Sequence, residues 1–208
     1  MLTYRLPPIL RGLRVDHPSI DLVVNNMPTQ DSIANVIQNK IDFGIVVLPV
    51  DKKHLHITTL CEELLVAIIP RDTRDVPDEI TPAYVVQQTL LIEHTRSSAY
   101  TLVMGWLGQA GLTCKPLPVG TVEALKTAVA SKLGMALVPE VAVTRHRSDF
   151  IIRPLLPPLR RTLALIEHRN KRNEAAFEIV RNALLALQNN GALKCRRNKS
   201  SRRARTSA

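Results

Sequence analysis

The sequence predicts an α/β fold made of two lobes. Three observations support this. Helix-like and strand-like apolar patterns alternate along most of the chain. A charged connection with several prolines, 71–82, separates two such alternating segments, which is typical of a crossing between lobes. Two more strand patterns and a last amphipathic helix follow the second segment, so we expect the chain to return to the first lobe.

The first segment begins with the pattern of a helix and then a strand. Pro7 and Pro8 fit the first turn of a helix with an apolar face over 6–13, because proline needs no intrahelical hydrogen bond there. Apolar residues at every second position over 20–24 predict a strand. A second helix is expected from about Gln30.

The first segment then continues with two strand patterns. Asn39 is expected to adopt a left-handed conformation after the second helix, which asparagine tolerates. The run 42–48, DFGIVVL, is typical of a parallel strand buried on both faces, and Pro49 ends it. Residues 63–70, ELLVAIIP, predict another strand before the charged connection.

The second segment predicts further strand, loop and helix units. A short helix is expected over 81–88, where Thr-Pro forms an N-cap and first-turn pair, and 90–93 reads as a strand. The polar turn 94–98, HTRSS, leads into a helix with an apolar face that ends near Gly111. Such units predict a second α/β lobe.

The stretch 120–139, GTVEALKTAVASKLGMALVP, predicts a helix followed by a buried strand. Thr121 suits the N-cap, Glu123 lies in the first turn, and Gly134 suits the left-handed position after the helix. One helical face carries Val122, Leu125, Val129 and Leu133. The backbone N–H groups at this N-terminus suit a small anion, although a capped helix that meets only water is the alternative. Two strands, 151–154 and 162–167, and a helix from about Asn173 close the chain.

The net charge of +10 is concentrated at the C-terminal end. Residues 191–208 carry seven basic residues and no acidic one, which leaves about +3 for the rest of the chain. This basic tail has few apolar residues to bury, so we expect it to be disordered. It either holds phosphate backbones without sequence specificity or is a solvated extension.

Composition excludes several other classes of protein. An apolar share of 45% in 208 residues indicates a globular protein, and the aromatic share of 3% argues against base-stacking platforms. The sequence has neither a run of about 18 apolar residues nor an export signal pattern, so we expect a cytoplasmic protein. Cys61, Cys114 and Cys195 are odd in number and widely spaced, as expected for reduced, inert thiols.

Four stretches in order resemble the effector-binding domain of LysR-type transcriptional regulators. YRLPPILRGLRVDHPSIDLVV (4–24) is similar to the family's opening helix and strand. DSIANVIQNKIDFGIVVLP (31–49) is similar to its L-x-x-G-x-L-D-x-A-I-x-x-P segment, with Asn39 in the glycine position. EELLVAIIP (62–70) and VEALKTAVASKLGMALVPEVAV (122–143) are similar to two later pieces, so the resemblance extends over about residues 4–188.

The resemblance implies a periplasmic-binding-protein-like fold of type 2. Two α/β lobes are then joined by two crossover strands, with a small effector between them. Lobe I would contain residues 1–69 and 165–190, and lobe II residues 70–164, followed by the tail 191–208. By the family pattern, the first strand of lobe I is missing, so we expect a truncated or misplaced start and reduced stability.

The resemblance also implies the partners of the protein. The expected ligand is a small-molecule effector, and no membrane partner is expected. Complete family members bind DNA through an N-terminal helix-turn-helix domain and dimerise through a linker helix, and the sequence shows neither. We therefore expect a homodimer or tetramer of the full-length protein and DNA contact only through that absent domain. The helix at 6–13 is a candidate pairing surface, and the alternative is that its apolar face packs entirely in its own core.

Mapped by motif, the ligand site lies where loops at strand ends face the cleft. The predicted ligand-binding residues lie at helix N-termini or at the end of a buried strand: Thr29, Val47, Leu48, Thr95, Arg96, Ser97, Ser98, Gly120, Thr121 and Val122. Hydroxyls and N–H groups suit a carboxylate or another small anion, and Arg96 would add a charge-assisted hydrogen bond. The alternative is that the hydroxyls only cap helices, Val47 and Leu48 are core residues, and Arg96 is solvated.

The sequence predicts no catalytic residue, metal site or cofactor. His54, His56 and Cys61 lack a fourth ligand at a recognisable spacing. His94 and Ser98 lack a nucleophile elbow and an orienting acid. Neither a P-loop nor a G-x-G-x-x-G motif occurs.

We therefore expect a noncatalytic small-molecule-sensing domain of a LysR-type regulator. Effector binding would shift the lobes and so control DNA binding and transcription. A free-standing solute-binding protein of the same fold is the alternative, and a periplasmic location would favour it. An enzyme on this scaffold is a third hypothesis, which predicts that activity is lost when His94 or Ser98 is changed.

Overall fold

The computed structural model describes residues 2–144, 149–171 and 174–188. The helices are α1 (Leu2–Asp16), α2 (Thr29–Ile37), α3 (Pro82–Val85), α4 (Ser98–Gln109), α5 (Val122–Ala130) and α6 (Ala175–Leu185). The strands are β1 (Phe43–Val47), β2 (Leu55–Pro70), β3 (Leu90–Ile92), β4 (Leu117–Pro118), β5 (Met135–Pro139), β6 (Phe150–Pro154) and β7 (Arg160–His168). These elements confirm the predicted mixed α/β class.

One long strand, β2, connects two sheet regions. β2 pairs antiparallel with β7 over 55–64, and its last part pairs with β5 and β6. β1 lies on the other edge of β7, and β3 and β4 continue beyond β5. We call β1, β7 and the first part of β2 the first sheet, and the remaining strands with the last part of β2 the second sheet. A 16-residue strand therefore runs through both sheets.

Alternation along β2 and β7 divides the core into layers. In the second sheet, Ala67 packs in the core that contains α3 and α4, whereas its neighbour Ile68 packs against α5. In the first sheet, Leu165 packs against α1 and α6, whereas Ile166 packs against α2. Because successive side chains of a strand point to opposite faces, each sheet has helices on both sides.

β1 differs from its prediction. The apolar run 42–48 predicts a parallel strand buried on both faces, and this is wrong. The observed strand runs antiparallel to β7, and its burial alternates, with Gly44 and Val46 buried. Among the described strands, β7 is the one neighbour of β1, so the side chains of β1 are only partly covered.

The strand predicted at 20–24 is not formed. Residues 21–28 have no regular secondary structure, and the side chains of Val23 and Val24 are 78% and 51% exposed. An alternating pattern gives a strand only where a neighbouring strand supplies backbone partners. This segment lies beside β1 without joining the sheet.

The start of α1 also differs. The helix begins at Leu2, so Pro7 and Pro8 lie inside it rather than in its first turn. Contacts in the early turns explain this difference. Tyr4 donates a hydrogen bond to Glu123, and Leu6 is buried against the first sheet.

The end of α5 corrects the role of a glycine. Lys132, and not Gly134, adopts the left-handed conformation, with φ of 65°. Leu133, which the sequence places on the apolar face, is 49% exposed. Asn39 does adopt the predicted left-handed conformation after α2, with φ of 53°.

β2 begins at Leu55, earlier than the apolar run 63–70 indicates, because its first part is polar on one side and gains its partner from β7. The other predicted helices and strands are present, with ends shifted by a few residues. The basic tail 191–208 lies outside the described residues. In the described part of the chain, none of the helices has the length and hydropathy needed to cross a membrane.

Candidate functional site

Two loops predicted to bind ligand lie side by side at one edge of the second sheet. β3 and β4 are parallel, with Leu91 opposite Leu117. Beyond the paired residues, the Gly120 N–H donates a hydrogen bond of 2.8 Å to the Glu93 carbonyl. The loops 94–98 and 120–122 therefore leave the sheet together, and they lead into α4 and α5.

Both helices are capped by hydroxyl groups at this edge. Ser97 Oγ accepts a hydrogen bond of 3.0 Å from the Tyr100 N–H, and Thr121 Oγ1 accepts one of 3.2 Å from the Ala124 N–H. Gly120 has φ of 116°, which side-chain-bearing residues rarely adopt. The cap role predicted as the alternative is thus present, while earlier N–H groups of a helix have no intrahelical acceptor and suit an anion.

Ser97→Ala should lower the free energy of unfolding by about 1 kcal/mol, since the Tyr100 N–H loses its acceptor. Urea denaturation monitored by circular dichroism measures the change. Ser98→Ala is the control, because Ser98 is already helical and its replacement should stay within about 0.5 kcal/mol. Equal losses in the two variants would contradict the assignment of Ser97 as the cap.

The remaining predicted residues lie on the first sheet. Thr29 is the first residue of α2, and the N-cap is Pro28, which provides no side-chain cap. Val47 ends β1, and Leu48 follows it. Both side chains are half-buried, and Leu48 packs against the core around Ile166. Leu48 therefore has a packing role whether or not it contacts a ligand.

One ion pair joins the two groups of predicted residues. Arg96 Nη2 donates to Asp31 Oδ1 over 2.9 Å. Asp31 lies in the first turn of α2, which packs on the first sheet, whereas Arg96 lies in the loop that enters α4 from the second sheet. Arg96 is therefore paired and not merely solvated. Asp31 could not be identified from the sequence, because a long segment of chain separates it from Arg96.

A buried charged cluster lies where β2 and β7 pair. Arg161 donates from Nε and Nη2 to Glu63 Oε2 over 3.1 and 2.8 Å, and the two residues are opposite each other in register. Arg5 Nε of α1 lies 3.2 Å from Glu63 Oε1, close enough for an ion pair but without hydrogen-bond alignment. The Glu63 side chain is 2% exposed. This cluster, which motif mapping missed, ties α1 to both long strands.

A narrow cavity lies between the loops and this cluster. It has a volume of about 20 Å³ and is lined in part by Glu93, Ala99, Val122 and Arg161. Such a volume holds about one water molecule. An effector of several heavy atoms at this position therefore requires α4, α5 and the long strands to separate.

The first turn of α5 already contains a carboxylate with partners. Tyr4 donates a hydrogen bond to Glu123, and Lys126 Nζ lies 2.7 Å from Glu123 Oε2. Burial and the hydrogen bond to Glu123 hold the pKa of Tyr4 far above its usual range. By contrast, the first turn of α4 contains no acidic residue, and Arg96 precedes the N-cap Ser97. The α4 end is thus the more favourable one for an anion.

A second cavity, of about 1140 Å³, lies away from the predicted residues. It is bounded by α1, α6 and β1, and Leu10, Phe43, Ile45 and Phe177 line it with the segment 19–25. The predicted ligand-binding residues are not part of its lining.

Thiol and metal chemistry have little support in the described residues. Nowhere among them do three His, Cys, Asp or Glu side chains group as metal ligands would. Burial raises the pKa of the Cys61 and Cys114 thiols, which disfavours the reactive thiolate. Cys195 lies outside the described residues.

The family profile of the LysR substrate binding domain matches residues 1–188. The chain belongs to this family. Two curated relatives of this LysR domain are a probable RuBisCO transcriptional regulator of Phaeodactylum tricornutum and the HTH-type transcriptional regulator CatR of Pseudomonas putida. They are 26% and 27% identical to it over 90% and 69% of this chain. The chain spans 64% and 50% of the lengths of these two relatives.

Solved structures share the fold of this LysR domain. The regulatory domain of CcmR from Synechocystis PCC6803, in complex with 2-PG, matches with a TM-score of 0.81 at 18% identity and covers 91% of this chain and 93% of that one. The reduced form of OxyR from N. meningitidis matches with a TM-score of 0.76 at 20% identity, over 91% of each chain. These matches confirm the two-lobed, periplasmic-binding-protein-like fold class.

Proposed function

We propose that this LysR domain senses a small organic anion and is the regulatory part of a LysR-type transcriptional regulator. One observation carries the proposal. The loops 94–98 and 120–122 leave the second sheet side by side, and Arg96 reaches from them to Asp31 on α2 of the first sheet. We propose that these hydroxyls, helix N-termini and the guanidinium line one cleft, because such groups suit a carboxylate or phosphate.

The proposed lobe boundaries lie within β7 and at the end of β2, so they do not coincide with the two sheets: the last part of β2 pairs in the second sheet, and the start of β7 pairs in the first. Residues 1–69 and 165–190 form lobe I, residues 70–164 form lobe II, and β2 and β7 cross between them. A ligand that contacts both lobes favours the arrangement in which both sets of contacts are made, so it shifts their relative orientation. In a cytoplasmic homodimer or tetramer of the full-length protein, this shift would be passed to a DNA-binding helix-turn-helix domain.

The names of the relatives favour regulation over the alternatives. The curated relatives are named as transcriptional regulators, whereas a free-standing solute-binding protein or an enzyme would predict relatives of those classes. We therefore propose that the domain itself is noncatalytic and that His94 and Ser98 have no catalytic role.

Thermal shift against a panel of acetate, benzoate, citrate, inorganic phosphate and 2-PG tests the proposal. At least one compound should raise the melting temperature, because a ligand at one hundred times its Kd stabilises the folded state by about 2.7 kcal/mol. Arg96→Gln should lower the affinity for that compound about tenfold, as expected for loss of a charge-assisted hydrogen bond. Thr121→Val should also lower this affinity.

Arg160→Gln is the matched control for this test. Arg160 is an exposed arginine that lies 3.9 Å from Glu62 at the start of β7, so it has the same charge but is not one of the predicted ligand-binding residues. Its replacement should leave the affinity unchanged. Absence of any stabilising compound would overturn the proposal, and an unaltered response of both Arg96→Gln and Thr121→Val would overturn the site.

A further inference from the structure

We propose that the Arg96–Asp31 ion pair is a latch across the cleft and that an anionic effector replaces Asp31 as the partner of Arg96. This inference rests on the proposed function and adds a regulatory role for Asp31. The pair connects α2, which packs on the first sheet, with the loop that leaves the second sheet before α4. Neither residue lies on β2, the strand that already joins the two sheets. Breaking the pair therefore affects how the two sheets approach each other and not how either sheet is built.

An effector of several heavy atoms fits the cavity beside the α4 and α5 ends only if that cavity widens; Arg96 and Asp31 are not among its lining residues. The space between the α4 and α5 ends and Arg161 holds about one water molecule. The Asp31 carboxylate is already bound to Arg96 at 2.9 Å, so it occupies a hydrogen-bonding position that an effector carboxylate would use. An internal carboxylate and an external one thus compete for the same guanidinium.

The exposure of the pair fits a contact that is made and broken reversibly. The side chains of Arg96 and Asp31 are 69% and 44% exposed. Exposed ion pairs favour their bound state by only about two- to fivefold and are weakened by salt. A latch of this strength biases the closed arrangement without preventing an effector from replacing it.

The effect of the latch is measured without any ligand, from the distance between a spin label beside α2 and a spin label on α4. Labels are placed at Gln38, after α2, and Gln109, at the end of α4, both exposed. Cys114→Ser and Cys195→Ser remove two of the three native thiols, and the buried Cys61 remains. Asp31→Asn should shift the distance distribution towards longer distances, and high salt should shift the unaltered chain in the same direction.

Two variants separate a latch from a general effect of charge. Glu62→Gln makes the same charge change in a pair between adjacent strands, Glu62 and Arg160, and should leave the distances unchanged. The exchanged pair Asp31→Arg with Arg96→Asp should restore the shorter distances. A distribution that Asp31→Asn leaves unaltered, or an exchanged pair that behaves like Asp31→Asn alone, overturns the latch.

Competition is tested with the same compound panel. Asp31→Asn should tighten binding of a stabilising carboxylate or phosphate three- to fivefold, and this gain should vanish when Arg96→Gln is also present. A gain that persists without Arg96 overturns the exchange of partners. If none of the panel compounds binds any variant, the proposed function is overturned, and the distance measurement alone decides whether the latch exists.

Discussion

Glu63→Ala should lower the free energy of unfolding by about 3–5 kcal/mol, because it breaks a buried ion pair. Glu63 accepts hydrogen bonds from Arg161 of β7 and forms an ion pair with Arg5 of α1, and its side chain is 2% exposed. Removal leaves Arg161, 9% exposed, as a buried charge without its partner. Urea denaturation at several salt concentrations measures the loss.

The adjacent pair Glu62–Arg160 provides a matched control on the same two strands. Its side chains are 63% and 54% exposed, and its charged atoms are 3.9 Å apart. Glu62→Ala should cost less than about 1 kcal/mol, because water screens both charges. Glu63→Gln, which retains an acceptor, should lie between the two. Similar losses for Glu62→Ala and Glu63→Ala would show that the buried cluster does not stabilise the crossing.

Gly134→Ala should cost about 3 kcal/mol, although Gly134 has no left-handed backbone. A Cβ at this position would lie 2.2 Å from the Thr89 carbonyl oxygen and 3.0 Å from the Thr89 Cβ. The obstacle is mainly backbone, so it cannot rotate away. The Met135 N–H bonds to the same carbonyl at 2.9 Å, and a shift would therefore disturb the pairing of β3 with β5.

Gly105→Ala is the control for the effect of adding a methyl group. Gly105 lies within α4, and no heavy atom comes within 4 Å of a Cβ built there. Alanine should therefore raise the free energy of unfolding by about 0.5–1 kcal/mol, since it favours helix over the unfolded chain. A small or stabilising effect of Gly134→Ala in the same urea measurement would refute the close approach to Thr89.

The helices and strands of the second segment could be predicted because their signals are local. Thr121 at a cap and the apolar face of α5, with Leu125 and Val129 buried, depend on spacing along a few turns. The strand at 20–24 and the pairing of β1 could not be predicted in this way. A strand takes its hydrogen bonds from another part of the chain, so the same alternation is compatible with a sheet or with an exposed segment.

The candidate site was predictable only in part for a related reason. The local pattern located Thr121 as an N-cap, and the family motif mapped Ser97 to the loop before α4. The charged partners could not be located in this way, because Asp31 is separated from Arg96, and Glu63 from Arg161, by long stretches of sequence. No spacing motif in the sequence predicts either pair.

By itself, the sequence determined the α/β class, the positions of most helices and strands, and the resemblance to the LysR family. These depend on short-range periodicity, on capping residues and on an ordered set of motifs. The tertiary structure decided which strands pair, why Gly134 has to be a glycine, and which charges meet at Glu63 and at Asp31. Pairing and close approach are relations between distant segments, and their energies exist only once the chain has brought those segments together.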